Sequence, residues 1–163
     1  MKAPAKQGDI LRDVVESCPA QIVLIDGVFH QSLSVWHKEL VYALLHGVVC
    51  IGAASMGAIR AAELRRYGMI GVGRIFEMYR DGEEDDSLVA MSFDPETYKP
   101  LTDAPLGSDQ KRADALEAIE FARSLAPDYH VSTSLDKSAI SPYLEIVLKR
   151  ITDGYTHSDF NAC

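Results

Sequence analysis

The sequence predicts a single α/β domain: a parallel β-sheet core flanked by helices. Three observations carry this reading. Two short runs, QIVLI at 21–25 and VVCIGA at 48–53, are apolar at successive positions, as in strands covered on both faces. A helical pattern lies between them, long enough for the crossover that parallel pairing needs. The second run then passes directly into another helical pattern, MGAIRAAELRRY, which Gly68 ends. A chain of 163 residues fits one domain spanning 1–163, and that size buries roughly 70% of its unfolded surface without staples.

The elements follow in chain order. Met1 to Gly8 is a loose, basic start. Asp9 is placed to N-cap a first helix whose Ile10, Leu11, Val14, Val15 and Cys18 share a face, and Pro19 stops it. Asp26-Gly27 ends the first strand, and the loop FHQSLS follows. Ser34 is the expected cap of a helix from Val35 to His46, closed by Gly47. In that helix Trp36, Leu40, Val41, Ala43, Leu44 and Leu45 form the apolar arc, and Glu39 points to the open side. Val72 to Arg80 reads as helix, DGEEDD at 81–86 as a solvated acidic turn, and Ser87 to Phe93 as a strand. Pro95, Pro100 and Pro105 mark loops. Asp109 to Leu125 is the clearest late helix; Ser141 to Ile151 is another, with Pro142 at its first position, and 152–163 is a polar tail.

Composition excludes several classes. Sixteen Lys and Arg against 24 Asp and Glu leave a charge of −8, the wrong sign for gripping phosphates, so no nucleic-acid partner is expected. Cys18, Cys50 and Cys163 form no CxxC, and no HExxH occurs, so neither a metal site nor a cofactor is expected. Cys50, in an apolar run, reads as a small buried hydrophobe. Gly71-Val72-Gly73 lacks the third glycine of a dinucleotide fingerprint, has Phe76 in its place and no strand before it. The first twenty residues hold no continuous apolar stretch, and Val41 to Ala54 is broken by His46 and too short to span a bilayer. No membrane attachment is expected, and the cytoplasm is the default compartment.

Chemistry concentrates where the strands end. Gly52-Ala53-Ala54-Ser55-Met56-Gly57 joins a strand to a helix, at the edge where open α/β sheets bind ligands. It resembles a GxSxG elbow with Ala53 in place of the first glycine. Ser55 there is either a nucleophile, with the Met56 N–H as an oxyanion donor, or simply the cap of its helix. Lys38 falls about 20° past the apolar arc of its helix and near the positive helix end. Partial burial and that dipole both favour a neutral amine, a general base; the alternative is a lysine whose stem covers apolar surface. Asp26 and His30, in the loop leaving the first strand, converge on the same edge. Asp26 either orients Lys38 or His30, or closes its own turn.

The blocks DGVFH, VWHKE, GAASMGA, RAAEL and YGMIGVGRIFEMYRDG, in this order, closely resemble TfuA-like proteins, most strongly over 7–86. The resemblance implies a family-specific, hydrolase-like fold; family members are expected to carry a further strand ahead of the PAKQGD segment, close to which this sequence starts, a departure from the family pattern. It implies an accessory role in peptide backbone thioamidation. TfuA-like proteins accompany YcaO-family enzymes, hydrolyse the C-terminal thiocarboxylate of a ThiS-like sulfur carrier, and help the YcaO enzyme engage its substrate peptide. The family's Ser–Lys pair maps onto Ser55 and Lys38. Arg60 is expected to face the carrier tail, with an ion pair to Glu63 or Glu39 as the alternative. A non-catalytic adaptor that binds the YcaO enzyme and its peptide is the competing reading of function.

Overall fold

The computed structural model describes residues 2–27, 33–83, 85–92, 94, 96–97, 99, 101–102 and 105–125. The expected helix at Ser141 to Ile151 and the polar tail lie outside these residues, as does His30.

Helix α1, Asp9–Ser17, buries Ile10, Leu11 and Val14 and ends where Cys18 turns left-handed at φ 40°. Strand β1, Gln21–Leu24, follows. Helix α2, His37–Leu45, stops at Gly47, whose φ of 78° suits a residue without Cβ. Strand β2, Val49–Ala53, is buried along its whole length. Helix α3, Met56–Leu64, tightens into a 3₁₀ turn over Arg65–Tyr67 before Gly68. Strand β3 is Ile70–Val72, and α4 is Arg74–Arg80. A 3₁₀ turn at Asp86–Leu88 precedes α5, Ser108–Ser124.

The sheet order is β1-β2-β3, all parallel, with Val23 beside Ile51 and Ile51 beside Ile70. Alternation along β2 sorts two layers. Cys50 faces a core built with α1, α2 and α3, among Leu11, Val14, Leu40 and Leu64. Val49, Ile51 and Ala53 face the other way, against Ala118 and Ala122 of α5. A third cluster, with Met56, Ile59, Ile75, Tyr79 and Val89, welds α3 to α4 and the turn behind it. Each fully buried aliphatic of this kind stabilises the fold by about 1.5–3 kcal/mol relative to exposure. Cys50 is enclosed as expected, and burial pushes its thiol pKa up to about 12, which makes it a packing residue.

Several expectations need correction. Helix α2 begins at His37, because Val35 is drawn into the core and the Ser34 hydroxyl instead accepts from Arg60. Trp36, assigned to the apolar arc, is 37% exposed ahead of the first turn. Glu39 is not on an open side: it is fully buried, because α1 lies over it and its carboxylate serves both helix starts. It accepts the N–H groups of Gly8 (2.9 Å) and Leu11 (3.4 Å) at α1 and of Trp36 (3.1 Å) at α2. Ile70–Val72 is strand rather than loop and helix, and Asp86–Leu88 is a 3₁₀ turn where a strand was expected from Ser87. Gly71 explains the first change, since any Cβ there would sit 2.1 Å from the Phe76 ring that covers it. Asp85 explains the second, its side chain accepting from Ser87 N–H at 2.9 Å and winding the chain. Within the PAKQGD segment, Ala5 forms an isolated parallel bridge with Gly27, just past the end of β1.

Candidate active site

The turn from β2 into α3 is tightly constrained. Ala54 sits at φ 69°, uncommon for a residue with a Cβ, and Ser55 at φ −120°, ψ −117°. The Ser55 N–H is held by the carbonyls of Ile25 (3.1 Å) and Ala53 (2.9 Å). Two glycines permit the approach. A Cβ on Gly52 would come 2.1 Å from Gly57 O, and one on Gly57 would come 1.8 Å from Leu24 O. The elbow-like spacing of the sequence is therefore a requirement for close packing of α3 on β1 and β2.

Ser55 is 1% exposed, and its side chain makes no cap hydrogen bond to α3. Its hydroxyl donates to Val89 O at 3.1 Å, in the turn after Asp86–Leu88. The same hydroxyl is in hydrogen-bond contact with the Asp26 carboxyl. Burial raises the Asp26 pKa, an effect countered by the Ser55 contact, the Gly27 N–H and the charge of Lys111. Asp26 also accepts from its own Gly27 N–H at 2.9 Å, so the carboxylate that meets Ser55 also closes its own turn. At the start of α3 the N–H groups of Met56 and Gly57 lack intrahelical acceptors by position, as an oxyanion donor requires.

The structure therefore brings Ser55, Asp26 and the start of α3 at Met56 together. Lys38, half-buried in the first turn of α2, has its ammonium 5.8 Å from the Trp36 ring centre, a cation–π contact. Arg60 is engaged elsewhere. Its Nε donates to Val35 O at 2.9 Å and its guanidinium pairs with Glu63 at 2.6 Å, the alternative foreseen for it. It straps α3 to the segment that leads into α2, and so holds the helix that carries Lys38.

One residue near Ser55 escaped the sequence reading. Lys111, in the first turn of α5, is 8% exposed and donates to the same Val89 carbonyl at 2.5 Å. Burial lowers its pKa, and the charge of Asp26 opposes that shift. Its only trace in the sequence is a position on one helical stripe with Asp114, Ala118 and Ala122, all buried. Asp114 serves α4 instead. It accepts from Arg74 N–H (3.2 Å) and Ile75 N–H (2.8 Å) and so caps that helix.

The turn that carries Val89 also borders a cleft of about 390 Å³, lined by Ile59, Ala62, Glu63, Tyr79, Glu83 and Asp86. Among the described residues no helix is long and apolar enough to cross a membrane.

No curated protein matches the chain at a significant level. The family model described as TfuA-like protein matches residues 26–126, a span that opens at Asp26, contains Lys38, Ser55 and Arg60, and closes just past α5. With more than half of its length matched, the chain belongs to the TfuA-like family.

Proposed function

We propose that the protein is a hydrolase that releases sulfide from the C-terminal thiocarboxylate of a ThiS-like carrier, for use by a YcaO-family enzyme in peptide backbone thioamidation. The observation that carries the reading is the Ser55 hydroxyl, held off its own helix cap at a strained strand-to-helix turn and in contact with the half-buried Asp26 carboxyl. Family membership supplies the chemistry; the site supplies a nucleophile, an orienting acid and a helix start for the oxyanion.

Asp26 holds the Ser55 rotor until the substrate arrives. The Lys38 amine, which the resemblance pairs with Ser55, takes the hydroxyl proton as Oγ bonds to the thiocarboxylate carbon. The oxyanion lies against the Met56 N–H. The C–S bond breaks and sulfide leaves with that proton. Water then attacks the acyl ester, its oxygen ends in the carrier's carboxylate, one of its protons returns to Ser55 and the other leaves to solvent. Because Val89 covers Ser55, the carrier tail must displace the Val89 carbonyl from the hydroxyl before attack. In this reading the protein also helps the YcaO enzyme engage its substrate peptide, and it works in the cytoplasm without a cofactor.

The test is sulfide release from a purified thiocarboxylated carrier. Ser55→Ala and Lys38→Ala should each lower the rate by at least about a hundredfold with the fold intact, and the double variant should be little worse than either. Sulfide release at the wild-type rate by Ser55→Ala would remove the nucleophile and leave the adaptor reading, in which the chain only binds the YcaO enzyme and its peptide.

A further inference from the structure

We propose that Lys111 is a positioning residue for the Ser55 nucleophile, acting through the Val89 carbonyl and the Asp26 carboxylate. The assignment rests on the hydrolase reading above. Two donors, Lys111 Nζ at 2.5 Å and Ser55 Oγ at 3.1 Å, converge on one carbonyl oxygen. That places an ammonium beside the hydroxyl although α5 and the β2–α3 turn are far apart in sequence. An amine seldom lies so deep without a carboxylate beside it or a function that needs it.

The Ser55 hydroxyl has one hydrogen and two acceptors, Val89 O and the Asp26 carboxyl. The ammonium, bound more closely, draws electron density from Val89 O and weakens its hold on that hydrogen. Its charge also favours the ionised form of Asp26, which burial alone would disfavour. Asp26 in turn favours the charged form of Lys111. The hydroxyl's bond to Val89 O is thereby loosened, and the hydroxyl is readied for release from that carbonyl as substrate arrives. The same positive charge lowers the cost of negative charge growing on Oγ as the proton leaves.

The groups acting on Asp26 are Ser55 from the β2–α3 turn, its own Gly27 N–H, and Lys111 from α5. Asp114, one turn along α5, is engaged with the α4 backbone. After burial and the Ser55 and Gly27 hydrogen bonds, Lys111 supplies the charge that acts on Asp26. A loss of Lys111 should move the Asp26 titration midpoint upward, which a purely structural role would not do.

The experiment uses the full chain with ¹³C-labelled aspartate, as wild type, Lys111→Met and Lys111→Arg. Asp26 is titrated by NMR, and sulfide release from the thiocarboxylated carrier is followed across pH. In Lys111→Met the Asp26 midpoint should rise by about half a unit or more, and the rate at neutral pH should fall about tenfold or more. Lys111→Arg, which keeps the charge, should hold the Asp26 midpoint near wild type. An Asp26 midpoint that stays put in Lys111→Met overturns the coupling. A midpoint that moves while the rate does not overturns the positioning role. A wild type that releases no sulfide overturns the hydrolase reading and the catalytic half of this assignment together, and is told apart because the NMR titration does not depend on turnover.

Discussion

Replacing Gly57 by alanine tests whether the site depends on the close seat of α3 against β1. The new methyl would lie 1.8 Å from Leu24 O and 2.6 Å from Leu24 C, both backbone atoms of a strand hydrogen-bonded to β2. No side chain can rotate to make room. Helix α3 must instead withdraw its first turn by more than about 1 Å, and overpacking of this kind costs about 1–3 kcal/mol. The same withdrawal carries Ser55 away from Asp26 and the Met56 N–H away from the substrate, and a misplacement of about 1 Å can cost on the order of a hundredfold in rate. Urea unfolding gives the stability loss as a lower midpoint at unchanged slope, and sulfide release gives the rate. A Gly57→Ala protein within about 0.5 kcal/mol of wild type and fully active would refute the argument, because the close approach would then be dispensable.

Two further outcomes concern buried or half-buried charges. Burial raises the folded pKa of Glu39 above the ordinary glutamate value of 4.5. Its contribution to stability is therefore fully present below pH 4.5 and is lost as pH rises through the folded value, since the native state then binds more protons than the unfolded one. The advantage of wild type over Glu39→Gln, read from urea midpoints at several pH values, should be largest at acid pH and shrink toward neutrality. Arg60→Ala should cost about 1–2 kcal/mol in thermal or urea unfolding, through loss of the strap to Val35 O, and should leave binding of the carboxylate form of the carrier unchanged. A selective loss of carrier affinity in Arg60→Ala would return it to the substrate path.

What could be read in advance and what could not divide along physical lines. β1, β2 and the helices around them were legible because continuous apolar runs, Asp26-Gly27, Gly47 and Gly68 are local signals, and Ser55 was legible because it stands at a strand-to-helix junction. β3 was not, because three residues with a central glycine carry no period. Glu39 was misplaced by helical-wheel reasoning. That reasoning treats a charged side chain as outward, whereas here a second helix supplies its N–H groups from elsewhere in the chain. Lys111 was missed for the same reason in a stronger form: its partners are a carbonyl and a carboxylate that only the packing of α5 across the sheet brings near. Local pattern reports what a segment can do by itself and stays silent on what another segment supplies.

The carboxylate of Glu39 has a dynamic consequence. Because one side chain terminates both α1 and α2, neither helix can fray at its start without releasing the other. The two form one cooperative opening unit, so the amides of Leu11 and Trp36 should exchange with solvent deuterium at a shared opening free energy. Lys38 is the residue before Glu39 in the first turn of α2. Any partner that grips or loosens the first turn of α1 would thereby change how narrowly Lys38 is confined, and a contact made at the amino-terminal helix would be felt as altered order at the amine.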